Sequence, residues 1–479
     1  MSESYEPMVA GGPTAFSRRA VTAPYDEEEL ALVGTAGADH VERALDTAYR
    51  LFRDRDSWLP LHARVEILER TAEIMRSRQE DLALGATEEG GKPLIDSRIE
   101  VARAIDGVKL CVERLRADHG DVIPVAGTEA AQHRLAFTQK EPIGVVVAVS
   151  AFNHPLNLIV HQVAAAVAAG CPVVVKPADD TPLSCFRFVS ILHEAGLPPE
   201  WCQALVTVDL VVAEQLVTDK RVGFFSFIGS ASVGWALRSK LAPGTRCALE
   251  HGGAAPVIIA PDADLEHTVR SITKGGYYHA GQVCVSVQRV FAHHSICSEF
   301  AERLSHSAGN LVVGDPRLET TEVGPLIRHR EVERVQQWVN EALGAGATRL
   351  LGGEPMTASV YPCTVLLQPP ADTKVSTHEI FGPVVCVYSY DENDRVIRQA
   401  NDLPVAFQAA VYTQNIDTAL RFYRGLDASA VIINDHSAFR TDGMPFAGLR
   451  QSGLGVGGIP YTMDDMTIKK MAVIYSPPN

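Results

Sequence analysis

The sequence is short of the features that mark several large function classes. No run reaches the ~18 apolar residues of a membrane helix, and the opening MSESYEPMVAGGP has neither the basic nor the apolar segment of a secretion signal. A cytoplasmic protein with no membrane partner is therefore expected. Positive charge is scarce: 43 Lys and Arg against 58 Asp and Glu give a formal net charge of −15. That balance argues against the concentrated basic surface a nucleic-acid partner requires. The nine cysteines are odd in number and contain no CxxC pair, so neither a disulfide framework nor a thiolate metal site is indicated. One crowded group, His293, His294 and Cys297 in HHSICSEF, reads as the turn into a helix, and no metal is expected. The Gly229-Ser230 turn in FIGSASVG is not the GxGxxG dinucleotide fingerprint.

What is present is a long, well-packed chain. At 479 residues with 46% hydrophobic and 21% charged content, it suggests two or three globular domains of roughly 100–200 residues each. Between 143 and 260, short Val/Ile-rich runs alternate with turns and helical periodicity: IGVVVAV, PVVVK, CQALV, GFFSFI, CALE and PVIIA. Runs that are apolar without alternation fit strands of a parallel sheet covered by helices on both faces. Residues 37–116 read as long amphipathic helices, ARVEILERTAEIMRSRQEDLALGATEEGG among them. A second strand and helix series runs from PVIIA to about 449. The stretch 121–141 is hairpin-like and MTIKKMAVIYS is a late strand candidate; such marginal strands can pair with each other or with a neighbouring chain.

Several polar residues fall at the carboxyl ends of these strands, where α/β sheets bind ligands. Lys176 closes PVVVK and can hold ribose hydroxyls, with Asp179 as an acceptor; a strand-end lysine that merely snorkels is the plain alternative. Gly229 and Ser230 join a strand to a helix, offering free N–H groups to a pyrophosphate, or simply forming a capped turn. Asn153 in VSAFNHPLNL can donate to a developing oxyanion or end the strand through an Asx turn. Glu250, ahead of Gly252 and Gly253, can act as a general base or be an ordinary turn glutamate. Cys284 in YYHAGQVC can be a nucleophile or one more buried thiol.

Together these stretches resemble the aldehyde dehydrogenase superfamily across nearly the whole chain. FNHPLN, KPADDTP, FIGSASVG, LEHGG, GQVC, HEIFGPV and MPFAGLRQSGLG occur in the family's order, with Glu250 and Cys284 34 residues apart. The resemblance implies an α/β fold with a Rossmann-like cofactor domain (1–121 and 142–251), an α/β catalytic domain (252–449) and a small β oligomerisation domain (122–141 and 460–479). It implies Cys284 as nucleophile, Glu250 as the base that activates water, Asn153 as oxyanion donor and Lys176 as a member of the catalytic set and a cofactor ligand. Ser150, Phe152, Asp179, Gly229 and Ser230 would lie along the dinucleotide, with Glu379 and Phe381 at the nicotinamide end. The thiolate would attack the aldehyde, the thiohemiacetal would lose hydride to the nicotinamide, and water would release the acid from the thioester. Branches that pass the acyl group to coenzyme A generally lack this glutamate, so a free acid is the expected product.

The sequence departs from the common pattern at Phe152, His154, His251 and Phe407, and His251 is expected to alter the nicotinamide contact. FNHPLN and FRTDGMPFAG resemble the branch that oxidises lactaldehyde, glyceraldehyde or short phosphono, phospho and sulfo aldehydes. His154, Arg440 and Arg103 are then expected to line the substrate mouth, since a guanidinium fork matches such oxyanions. Val283, just before the nucleophile, is uncharged where an anion-binding relative would carry arginine, so an anion must be held from elsewhere. Asp179 accepts a ribose 2′-hydroxyl and repels a 2′-phosphate, which favours NAD over NADP. A homo-oligomer, dimer or tetramer, is expected. The competing readings are an aldehyde dehydrogenase for neutral aliphatic or aromatic aldehydes, a cysteine hydrolase, and a non-catalytic scaffold that would be expected to lose Cys284, Glu250 or Asn153.

Overall fold

The apolar runs between 143 and 250 form neighbouring strands of one six-stranded sheet in the computed structural model, which describes residues 3–12, 14–207 and 209–477. Residues 478–479 of the late β segment lie outside that description. Across the sheet the strands run Gly453–Leu454, Arg246–Glu250, Val222–Ile228, Val145–Val149, Val173–Lys176, Cys202–Ala204, parallel except for Gly453–Leu454. The chain enters at Val145–Val149, fills one side with the next two strands, then crosses to the other side with Val222–Ile228. The order therefore reverses between Val145–Val149 and Val222–Ile228, where splayed connections open a crevice at the strands' carboxyl ends.

A second sheet of seven strands runs Thr348–Leu351, Thr364–Leu367, Val384–Tyr390, Val287–His293, Ala255–Ile259, Gln408–Tyr412, Ala430–Ile433, parallel except for the first. Val257, Ile258, Ile259, Val290, Val385 and Val387 are fully buried within it, as expected for strands covered on both faces. Each large sheet has its own hydrophobic core.

The helical stretch 37–116 is present as Ala38–Arg53, Leu61–Ser77, Gln79–Gly90 and Leu94–Ala117. The single long helix expected from ARVEILERTAEIMRSRQEDLALGATEEGG is two, because Arg78 leaves helical angles (φ −114°, ψ 22°). The break lets both halves pack along Leu94–Ala117. Strands at Glu3–Tyr5, Ser17–Thr22 and Glu29–Thr35 form a small sheet of their own; short and partly polar, SRRAVT lacks the apolar run that betrays a strand.

The hairpin-like segment and the late strand do pair: Thr467–Tyr475 lies antiparallel to Arg134–Pro142 along its whole length, with Val122–Ile123 on the other side. Met471, Val473, Ile474 and Tyr475 on this ribbon are exposed. HHSICSEF is the turn into the helix Cys297–Gly309, and no group of metal-ligating side chains occurs among the described residues.

Candidate active site

Two cavities open against the six-stranded sheet, and Asn153, Ile228 and Cys284 line both. The larger, about 760 Å³, runs along the carboxyl ends of the parallel strands. It is lined by Ser150, Phe152, Lys176, Asp179, Gly229, Ser230, Glu379 and Phe381 among others. The smaller, about 50 Å³, lies beyond Cys284 and is lined by Arg103, His154, Glu250, Tyr278, Val283 and Arg440 among others. Every candidate residue of the sequence reading thus borders one cavity or both.

Sheet geometry explains the larger cleft. Lys176 ends its strand and donates to Asp179 (2.7 Å), while Arg328 forks onto Asp180. Ser230 caps the helix Ala231–Arg238, and Gly229 N–H donates back to the carbonyl of Glu250 (3.1 Å). Ser150 Oγ and Glu379 Oε1 are buried with no hydrogen-bond partner among the described residues. Phe381, at φ +48°, sets its ring edge-on to Phe152, centroids 5.8 Å apart. His251 does not itself line the cleft: its Nδ1 is 2.8 Å from the Gly229 carbonyl and its ring packs against Phe227 and Trp235. Gly234 leaves room for that ring, since a Cβ there would overlap it.

The nucleophile candidate sits where two glycine-bearing turns meet. His279, Ala280 and Gly281 are all left-handed (φ 48°, 53° and 71°), a conformation that costs about 1–2 kcal/mol per non-glycine residue and marks a segment held by its surroundings. Gln282 supplies the hold: its Nε2 donates to the Pro325 carbonyl (3.2 Å) and its Oε1 accepts from Ile327 N–H (3.0 Å). A Cβ on Gly281 would overlap the Gly382 carbonyl, and one on Gly252 would overlap the Glu379 carboxyl. Glycine at both positions is what lets the HEIFGPV loop close on Cys284.

Asn153 Nδ2 donates to the Gln282 carbonyl (2.9 Å). A carbonyl can only accept, so the group facing it must be the amide's NH2; this contact fixes the amide's orientation and leaves a second N–H to donate. Burial, then the Glu379 and Glu250 carboxylates, push the Cys284 thiol up to about 12, with Arg440 opposing. Burial also raises Glu250, again opposed by Arg440, and carries Glu379 up to about 8.

The smaller cavity holds an unusual arginine. Arg440 lies over the Phe446 ring, 3.6 Å from its centroid, and its Nε and Nη2 are buried without a partner among the described residues. Burial lowers its pKa, opposed by Glu250. Arg103 is different: it is forked onto Asp442 (2.8 and 3.0 Å), an inter-element ion pair at the cavity wall. Asp442 also accepts from Asn157 and His161. Burial would raise that carboxyl, yet His161 and Arg103 hold it well below the usual range.

Several participants escaped the sequence reading: Lys92, Glu100, Tyr278, Gln282 and Asp442. Glu100 carried a signal, since it falls on the apolar stripe of Leu94–Ala117 beside Ser97, Val101 and Ala104, all buried. A charge on a core-facing stripe demands a partner. His161 and Gln162, polar within LIVHQVAAAVAAG, mark a π turn at Val160–Ala164.

The aldehyde dehydrogenase family profile matches residues 13–472. The chain is 37% identical over 461 residues to 3-sulfolactaldehyde dehydrogenase of Priestia aryabhattai, covering 96% of each. Among solved structures, aldehyde dehydrogenase 21 of Physcomitrella patens, in complex with the reaction product succinate, superposes with a TM-score of 0.95 at 31% identity, covering 99% of each chain. Glyceraldehyde-3-phosphate dehydrogenase GapN of Methanocaldococcus jannaschii, complexed with NADP, gives 0.91 at 33% identity, covering 96% of this chain and 100% of that one. The chain belongs to the aldehyde dehydrogenase family and is an NAD(P)-dependent oxidoreductase acting on aldehydes.

Proposed function

We propose that the protein oxidises a short aldehyde bearing a hydroxyl or an anionic tail to its carboxylic acid, with NAD as oxidant. The observation that carries the substrate class is Arg440: two buried guanidinium nitrogens, Nε and Nη2, without a partner among the described residues, at a cavity of about 50 Å³ also lined by Cys284 and Glu250. An unmet buried donor costs about 1–3 kcal/mol, more when charged, and a carboxylate, sulfonate or phosphate oxygen satisfies it. The names of the relatives agree in kind: a sulfonated aldehyde, a phosphorylated aldehyde and a dicarboxylate product.

The chemistry on this reading belongs to Cys284. Its Sγ adds to the aldehyde carbon, and the oxyanion is held by the free Asn153 N–H and the Cys284 backbone N–H. A thiol near 12 is not ionised beforehand, so its proton leaves as attack occurs, and Glu250, made more basic by burial, is suited to accept it. A dinucleotide held in the larger cleft would supply the hydride acceptor; the thiohemiacetal carbon on Sγ, having given up its hydrogen as hydride, is then a thioester. Glu250, once it has passed the thiol proton to solvent, takes a proton from water attacking the thioester carbon; the tetrahedral adduct expels Sγ, and the acid departs.

The larger cleft fits a dinucleotide. Its lining combines Lys176 and Asp179 for a ribose, Gly229 and Ser230 at a helix start for phosphate, and the unpartnered Ser150 Oγ and Glu379 Oε1 beside Phe152 and Phe381 for the nicotinamide end. Asp179 favours NAD because its carboxylate repels a 2′-phosphate. Residues 1–121 and 142–251 act as the cofactor domain, 252–449 as the catalytic domain, and the Arg134–Pro142 and Thr467–Tyr475 ribbon, with its exposed apolar side chains, as the contact between copies in a cytoplasmic homo-oligomer.

NADH absorbance over a panel of three- and four-carbon aldehydes tests this. Sulfonated, phosphorylated, carboxylated and hydroxylated aldehydes are expected to outrun alkyl aldehydes of equal length; a preference for the alkyl series contradicts it.

A further inference from the structure

A fully buried charge cluster stands directly behind His154. The side chains of Lys92 and Glu100 are 0% exposed and form an ion pair. The other Glu100 oxygen accepts the N–H groups of Leu156 (3.0 Å) and Asn157 (2.9 Å). Lys92 Nζ also lies 2.8 Å from His154 Nδ1. Across the ring, His154 lines the smaller cavity and stacks on Tyr278, centroids 6.0 Å apart. Its Nε2 has no hydrogen bond among the described residues, and the side chain keeps 12% exposure. Lys92 has no exposed atom through which to meet solvent or substrate, so any effect it has must pass through Glu100 and His154.

We infer that Lys92 is a positioning residue that fixes the tautomer of His154, so that the ring presents Nε2–H, never a lone pair, to the aldehyde. The inference rests on the reading that the smaller cavity receives the substrate. An ammonium carries three donors and no acceptor, so its contact with Nδ1 requires the lone pair there; in a neutral ring the proton is then on Nε2. His154 faces Lys92, Glu100 (3.9 Å), Arg103, Tyr278, His279 and Arg440. Burial first, then Lys92, Arg103, His279 and Arg440, keep it far below the usual histidine range, so it stays neutral. The result is an obligate donor beside Arg440, selective for tails that accept hydrogen bonds. A site built to donate rejects analogues that leave the donor unpaired.

Removing the Lys92 charge reverses the logic. Glu100 then faces His154 without a compensating cation: at low pH the ring gains a proton, and at high pH the neutral ring turns its one N–H toward Glu100. Nε2 becomes a lone pair, which repels an acceptor-only tail but still accepts from a hydroxyl.

The test is the kcat/KM ratio of succinate semialdehyde, whose tail only accepts, to lactaldehyde, whose hydroxyl does both, between pH 6 and 9. Taking a ratio cancels the titration of groups common to both reactions. It is expected to be flat in the wild type, and in Lys92→Met to fall about tenfold as pH rises. A ratio equally flat in both proteins, while His154→Leu does change it, overturns the inference. If Lys92→Met does not fold, imidazole ¹⁵N spectra of the wild-type holoenzyme, with His154 assigned by loss of its signals in His154→Gln, decide the matter. Nε2 protonated and Nδ1 bare supports it, and a proton on Nδ1 overturns it. An unchanged ratio in His154→Leu instead removes the substrate reading of the cavity, leaving the tautomer result standing by itself.

Discussion

The larger cleft is walled by strand ends, glycine turns and charges among which Lys176 pairs with Asp179 and Arg328 with Asp180, while Glu379 Oε1 has no partner among the described residues. Beyond Cys284 the smaller cavity is walled by side chains from the helix Leu94–Ala117, the Phe152–Pro155 turn, the nucleophile turn and the 436–446 loop, and its central Arg440 is left unpaired. The contrast teaches how one fold divides its work. On the proposed reading, backbone geometry recognises what is constant, a dinucleotide, while a few side chains recognise what varies, the aldehyde tail. Asn153 and Cys284 line both cavities, and that reading gives them the chemistry rather than either selectivity.

That division can be broken by substitution. The largest effect is expected at the shared wall: Cys284→Ala abolishes NADH formation with every aldehyde, a loss of at least about 10⁴-fold, while retaining NAD binding measured by calorimetry. Asn153→Ala is expected to lower kcat about 10²- to 10³-fold for all substrates alike, the worth of one oxyanion donor; a loss confined to one aldehyde class would move Asn153 to the substrate side. The effect of Asp179→Ala should be smaller and confined to the cleft: the NAD to NADP ratio of kcat/KM falls about tenfold with the order of aldehydes unchanged. The thiol itself reports on the common wall through pH. With Cys284 near 12, iodoacetamide labelling of the cofactor-free enzyme is expected to rise about tenfold per pH unit from 7 to 9 without a plateau; a plateau near 7 would mean a preformed thiolate.

The same contrast sets what could be read from the sequence. Runs such as VVVAV and FFSFI announce buried parallel strands because no polar residue interrupts them, and functional groups at their ends follow from the sheet rule. Lys176, Gly229, Ser230 and Glu250 were legible for that reason. The Ser17–Thr22 strand was not, since SRRAVT is half polar, and neither was the break at Arg78, which depends on packing along another helix. The contact of His251 with the Gly229 carbonyl was not legible, because a backbone partner leaves no sequence pattern. Arg103 and Arg440 look alike as sequence; only the structure shows that Asp442 pairs with one, while Nε and Nη2 of the other have no hydrogen-bond partner among the described residues. Lys92 and Glu100 were invisible as a pair, although a glutamate on an apolar helix stripe was the clue.

The claim that the smaller cavity reads an anionic tail is tested most directly by one comparison: the kcat/KM ratio of succinate semialdehyde to butanal in the wild type and in Arg440→Leu. Losing the guanidinium from a buried charge pairing is expected to lower that ratio by roughly 30-fold or more, with KM for NAD unchanged. A ratio that survives the substitution would contradict the account.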